Sequence, residues 1–173
     1  MIDVINLQRK VKLETAVYKE YVKELASSVE EADGKTFSVA FVSDDRMWKL
    51  NWSFRGKDST TDVLSFPHEA DELEQGSPPY EGGVASVSDD GVVLSSDEPP
   101  SANSQPPTVF LGDIVISAEQ AQTQAKENKL TLENEIKQLI LHGLLHLCGY
   151  DHETDKGEMN KRELALRKKL KIN

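Results

Sequence analysis

The most constraining feature of the chain is a cluster of histidines inside an apolar stretch near the C-terminus. Residues 139–155 read LILHGLLHLCGYDHETD and contain three of the four histidines. His142 and His146 are four residues apart, so on a helix they share one face with Cβ atoms about 5–6 Å apart. Gly149 permits a left-handed exit from that helix, and a reversing chain brings His152 back toward the same point. The spacing therefore predicts a buried helix that carries a metal site.

Three imidazole ligands indicate a catalytic zinc site rather than a structural one. His142, His146 and His152 are predicted to bind one Zn²⁺ per chain and to leave its fourth position open for water. Zinc lowers the pKa of such a water to about 7. Metzincin peptidases have the same spacing, but the glutamate that follows their first histidine is Gly143 in this chain. Because that glutamate is their general base, a peptidase is the weaker alternative. A buried helix with incidental histidines is the non-functional alternative.

Three blocks of sequence resemble the YbeY family of zinc-dependent endoribonucleases, which are linked to ribosomal RNA maturation and ribosome quality control. The blocks are residues 142–152 (HGLLHLCGYDH), 51–67 (NWSFRGKDSTTDVLSFP) and 111–117 (LGDIVIS), and they occur in the family's order. The resemblance implies a metal-dependent endoribonuclease that acts on single-stranded or ribosomal RNA. Ribosomal subunit proteins or an assembly GTPase are the protein partners it implies. A ribosome-assembly factor that uses the metal only for structure is an alternative from another class.

The order of the elements predicts a zincin-like α+β fold. Strands are predicted near residues 1–7, 36–43, 61–66 and 108–117, and helices near residues 11–29, 44–54, 117–128, from 131 onward, and from 158 to the C-terminus. We therefore expect a small mixed sheet of about four strands, packed with about five helices around the central metal-bearing helix. The chain length fits one domain spanning residues 1–173.

A polar turn between a short helix and a strand supplies the predicted phosphate contact. Arg55 is predicted to be a catalytic and substrate-binding residue, because a guanidinium binds phosphate through two hydrogen bonds and stays charged. Lys57 is a second substrate-binding candidate in the same turn. A solvated basic turn without a ligand is the alternative.

Two further polar residues are candidates for the surroundings of the metal. Asp113 follows a glycine in the middle of a predicted strand and could accept a hydrogen bond from a metal-bound histidine. An ordinary aspartate on the strand surface is the alternative. His68 is a candidate fourth ligand, and a loop histidine is the favoured interpretation.

The negative charge of the chain is concentrated in one segment. Residues 69–107 contain nine acidic and no basic residues, together with six prolines, seven serines and four glycines. This composition predicts a disordered insertion. Nine of the ten excess negative charges lie in it, so the rest of the chain is nearly neutral and neither favours nor excludes RNA.

The remaining sequence indicators concern location. No apolar run approaches the 18 or more residues of a membrane span, so no membrane contact is expected. The N-terminus lacks the pattern of a secretory signal, and the single cysteine, Cys148, excludes an internal disulfide. A cytoplasmic location is the resulting expectation.

Overall fold

The computed structural model describes residues 3–68, 109–151 and 156–173. Within these ranges the strands are β1 (Asp3–Asn6), β2 (Thr36–Val42), β3 (Val63–Pro67) and β4 (Phe110–Ser117). The α-helices are α1 (Thr15–Ser28), α2 (Asp44–Arg55), α3 (Ala118–Glu127), α4 (Leu132–Leu147) and α5 (Glu158–Lys169). The predicted insertion, residues 69–107, and the predicted ligand His152 lie outside the described residues.

The four strands form one mixed sheet in the order β1-β2-β4-β3. β1 and β4 both run parallel to β2, and β3 pairs antiparallel with β4 at the sheet edge. This sheet and the helices around it confirm the predicted α+β fold.

One face of the sheet supports the histidine helix. The inward side chains of the two central strands join one apolar core with α1 and α4; these side chains are Phe37, Val39, Phe41, Ile114 and Ile116. Ten of the sixteen residues of α4 are buried. The helix begins where the Thr131 hydroxyl accepts a hydrogen bond from the Asn134 amide, a normal N-cap. Burial on several sides therefore fixes α4 against the sheet.

The opposite face of the sheet carries α2. Met47 of this helix is fully buried in a smaller apolar cluster with Val42, Leu64 and Val115. The helix ends at Arg55, and Gly56 caps it in a left-handed conformation with φ of 64°. Helix α2 is therefore anchored on one side only.

Two of the boundaries that differ from the sequence prediction have a clear physical cause. Helix α1 begins at Thr15 rather than near residue 11, because the Gln8 side chain bonds both backbone groups of Val11 and holds a turn there. Strand β3 includes Pro67, one residue beyond the predicted range of 61–66. Pro67 pairs with Gly112 at the sheet edge, where a missing N–H is tolerated.

Gly112 lies where the backbones of β3 and β4 approach closely. Its φ is 138°, and an added Cβ would lie 2.1 Å from the carbonyl oxygen of Phe66. Only glycine fits this position beside β3.

Among the helices of the described ranges, none combines the length and the apolar composition that crossing a membrane requires.

Candidate metal site and adjoining cleft

Two of the three predicted zinc ligands converge at the C-terminal end of α4. The Nε2 atoms of His142 and His146 are 3.2 Å apart, and both side chains are half-buried. Two nitrogen ligands of one tetrahedral zinc ion, each about 2.0–2.1 Å from the metal, would be separated by about 3.3 Å. The spacing of the two Nε2 atoms therefore fits a shared zinc ion.

The other ring nitrogens are held so that the Nε2 atoms carry the lone pairs. His146 Nδ1 lies 2.9 Å from the backbone carbonyl oxygen of Tyr150, and His142 Nδ1 lies 3.0 Å from the Glu163 carboxylate. A carbonyl oxygen can only accept, so His146 must donate from Nδ1. The ionised carboxylate favours the same tautomer for His142. Both imidazoles are thus arranged to offer Nε2 to a metal ion.

Glu163 is a functional candidate that sequence reasoning missed. It is a buried carboxylate on α5, and it also forms an ion pair with Arg167. Burial alone would raise the pKa of Glu163, but the hydrogen bond with His142 and the charge of Arg167 outweigh it and hold the pKa below its ordinary value. One signal was available: Glu163 shares the apolar face of α5 with Met159 and Leu166 at helical spacing.

The predicted left-handed exit from α4 is present. Gly149 has a φ of 95°, and the amide of Tyr150 donates to the carbonyl of Leu145 at the helix end. Both expectations for this glycine, its left-handed conformation and its position after the helix, are confirmed. Since His152 is outside the described residues, its role as the third ligand stays a prediction. Within the ranges described, no three His, Cys, Asp or Glu side chains form a candidate metal cluster.

A cleft of about 750 Å³ opens beside the two histidines. Arg55 at the end of α2 and the residues of β3 form its other walls. Arg55 is exposed, so its guanidinium is accessible from solvent. The structure therefore places His142, His146 and Arg55 along one cleft. Lys57 is exposed two residues further on and is not among the described residues that line the cleft.

Asp113 and His68 are not among the described residues that line the cleft. Asp113 is exposed and accepts a hydrogen bond from Ser38, and strand alternation places it on the face of β4 opposite Ile114, which packs against α4. The carboxylate found beside a histidine of α4 is Glu163 instead. His68 is exposed at the end of β3, where its ring packs edge-on against Phe110.

Gly143 packs against the sheet. A Cβ added there would lie 2.7 Å from Cγ2 of Ile114, closer than any normal contact. A glutamate at this position would therefore collide with β4. The position that supplies the general base in a metzincin is a packing contact in this chain, which argues against the peptidase alternative.

Comparisons with known proteins show the family of this chain. The model of the family described as Endoribonuclease YbeY matches residues 3–171. The Endoribonuclease YbeY of Thermodesulfovibrio yellowstonii is 31% identical, over 92% of this chain and 89% of its own length. That of Geobacillus thermodenitrificans is 37% identical, over 91% and 86% of the two chains.

A solved structure is also similar. The solution structure of TM1509 from Thermotoga maritima matches with a TM-score of 0.53 and 26% identity, over 95% of this chain and 85% of that chain. The resemblance first noted in three sequence blocks thus extends over nearly the whole chain, and the chain belongs to the endoribonuclease YbeY family.

Proposed function

We propose that this protein is a zinc-dependent endoribonuclease that cleaves single-stranded RNA during ribosomal RNA maturation and quality control. The observation that carries the proposal is one cleft with two kinds of group: imidazole Nε2 atoms 3.2 Å apart, and an exposed arginine. The first suits a metal ion, and the second suits a phosphate. Family membership supplies the reaction type.

The proposal gives each group a separate role. His142, His146 and His152 would hold the zinc ion, and Glu163 and the carbonyl of Tyr150 would orient the two rings on α4. A bound zinc ion would supply an acidified water and a Lewis acid. The Arg55 guanidinium would bind the scissile phosphate and balance the negative charge that develops on its oxygens.

Recessed histidines favour a single-stranded substrate. The His142 side chain is only 25% exposed, so a reacting phosphate must enter the cleft to approach it. A single strand can bend into such a cleft, whereas the phosphates of an A-form duplex are held on a stiff helix. Ribosomal RNA as the natural substrate, protein partners on the ribosome and a cytoplasmic location are parts of the same proposal.

The test is cleavage by zinc-loaded protein of one RNA sequence, presented as a single strand and as a duplex. We expect cleavage of the single strand, loss of cleavage with a chelator, and recovery when zinc is restored. The chemistry of the product ends would show whether water or the 2′-hydroxyl attacks. Equal cleavage of the duplex would contradict single-strand preference.

Two control assays separate the alternatives. Chelator-sensitive cleavage of a generic peptide would revive the peptidase. Normal ribosome maturation in cells that carry only a folded His142→Ala protein would favour the non-catalytic assembly factor. We expect neither result.

A further inference from the structure

One segment beside the cleft has a composition unlike the rest of the chain. Residues 46–57, RMWKLNWSFRGK, contain four basic side chains, three aromatic ones and no acidic residue, and they are flanked by Asp44, Asp45 and Asp58. They form most of α2 and the turn after it. Interleaved basic and aromatic side chains are the combination that binds single-stranded nucleic acid.

The two tryptophans lie on the outer side of α2. Trp48 and Trp52 are 41% and 53% exposed, whereas Met47 and Asn51 on the inner side are buried. The tryptophans are four residues apart, so they are neighbours on one face, and Arg55 continues that face three residues later. The outer face of α2 therefore leads from two indoles to the arginine in the cleft.

Trp48 is also held in place. Its indole Nε1 donates a hydrogen bond of 2.9 Å to the Asp58 carboxylate. This bond fixes the edge of the ring, and its exposure leaves ring surface open to solvent. A ring oriented before binding loses less entropy when a base stacks on it.

We propose that Trp48 and Trp52 stack against bases of single-stranded RNA whose backbone continues to Arg55 and the cleft. This deepens the proposed endoribonuclease function and rests on it. RNA is favoured over a protein partner because the face of α2 that carries the indoles continues to Arg55, which lines the cleft together with the histidines. Phe54, 66% exposed, lines the cleft next to Arg55 but lies on another side of α2 from the indoles, where its ring packs edge-on against Phe66.

The chain provides its own probe, because Trp48 and Trp52 are its only two tryptophans. We would mix zinc-loaded protein with a 12-nucleotide single-stranded RNA in a stopped-flow instrument and record tryptophan emission before cleavage begins. Stacking predicts saturable quenching by the single strand and much weaker quenching by the same sequence in a duplex, where the bases are already stacked. Trp48→Phe, which keeps Trp52 as the sole emitter, should still be quenched.

Variants then measure the contribution to binding. Trp52→Ala should raise KM and weaken RNA binding about 10-fold, about 1.4 kcal/mol, while kcat at saturating RNA stays near the wild-type value. Trp52→Phe should recover most of the affinity, because a phenyl ring can still stack. Ile5→Ala is the control, because it removes an apolar side chain of similar exposure, 47%, from β1 at the far edge of the sheet. It should leave RNA affinity and KM unchanged.

The outcomes distinguish this inference from the proposed function. If RNA is cleaved but emission is unchanged and Trp52→Ala has the wild-type KM, the stacking inference is wrong and the indoles form another surface, such as a protein contact. If emission is quenched and Trp52→Ala weakens binding, but the wild type cleaves no RNA, the stacking site stands and the nuclease proposal fails.

Discussion

Helices α4 and α2 both contribute to the cleft, and they differ most in burial. Ten of the sixteen residues of α4 are buried, whereas only Met47 and Asn51 of the twelve in α2 are. The histidines of α4 have their Nδ1 atoms engaged by Glu163 and the carbonyl of Tyr150. Arg55 is exposed at the open end of α2.

This difference matches two chemical requirements. A metal ion needs ligands at fixed separations, and a buried helix with oriented side chains provides them. A polymeric substrate needs side chains that it can reach, and a half-exposed helix provides those. Substitutions in α4 should therefore affect metal binding and folding, whereas substitutions on the outer face of α2 should affect only the binding and cleavage of RNA.

The largest effect is expected from His142→Ala. Removing one imidazole leaves too few ligands for a tight zinc site, so both zinc binding and RNA cleavage should be lost. Elemental analysis and a cleavage assay on the same preparation measure this, with circular dichroism to verify folding. A folded variant with full zinc content would show that His142 is not a ligand.

Arg55→Glu should come next. Reversing the charge beside a phosphate turns attraction into repulsion, so cleavage should fall about 100-fold or more while zinc content stays unchanged. The Arg55→Lys variant should cleave RNA at a rate between those of the wild type and Arg55→Glu, since it keeps the charge but loses the two-point contact. Wild-type cleavage by Arg55→Glu would make this arginine an ordinary surface residue.

Glu163→Gln tests the support of the metal ligand. The amide is neutral, so it polarises the His142 ring less and leaves Arg167 without its charged partner. Zinc affinity, measured by competition with a chelator, should fall about 10–100-fold. Glu158→Gln changes an exposed carboxylate on the same helix and is the matched control. Equal affinities for the two variants would contradict a role for Glu163.

Gly143→Ala should lower stability without removing a functional group. The new methyl would press on Ile114, and overpacking of this kind costs about 1–3 kcal/mol. Ser53→Ala on exposed α2 should change the free energy of unfolding by less than about 0.5 kcal/mol. Urea denaturation measures the free energy of unfolding of both variants. Similar values for the two would contradict the difference in packing between α4 and α2.

The smallest effect is expected from deleting residues 69–107. Strands β3 and β4 are antiparallel neighbours, with Pro67 opposite Gly112, so a short glycine-containing turn can join them. The deleted segment is acidic and poor in apolar residues, so melting temperature and zinc content should stay close to those of the full chain. A large fall in melting temperature would show that the segment contributes to the core.

The sequence was informative where function depends on local spacing. His142 and His146 are joined by one helical turn, and Gly149 follows at the helix end, so their relation could be derived from a few residues. Glu163 reaches His142 from another helix, twenty-one residues away, and no local pattern specifies that contact. The Gln8 turn that delays α1 is a side-chain effect that hydrophobic periodicity does not record.

The most direct test of the division between the two helices is the effect of zinc on melting temperature, compared with cleavage in the same samples. Zinc at a hundredfold excess over its dissociation constant should stabilise the wild type and Arg55→Glu equally, by about 2.7 kcal/mol. Zinc should stabilise His146→Ala much less than the wild type. Of the three proteins, only the wild type should cleave RNA efficiently. If Arg55→Glu lost the zinc-dependent stabilisation, or if His146→Ala kept it, α4 would not hold the metal independently of α2.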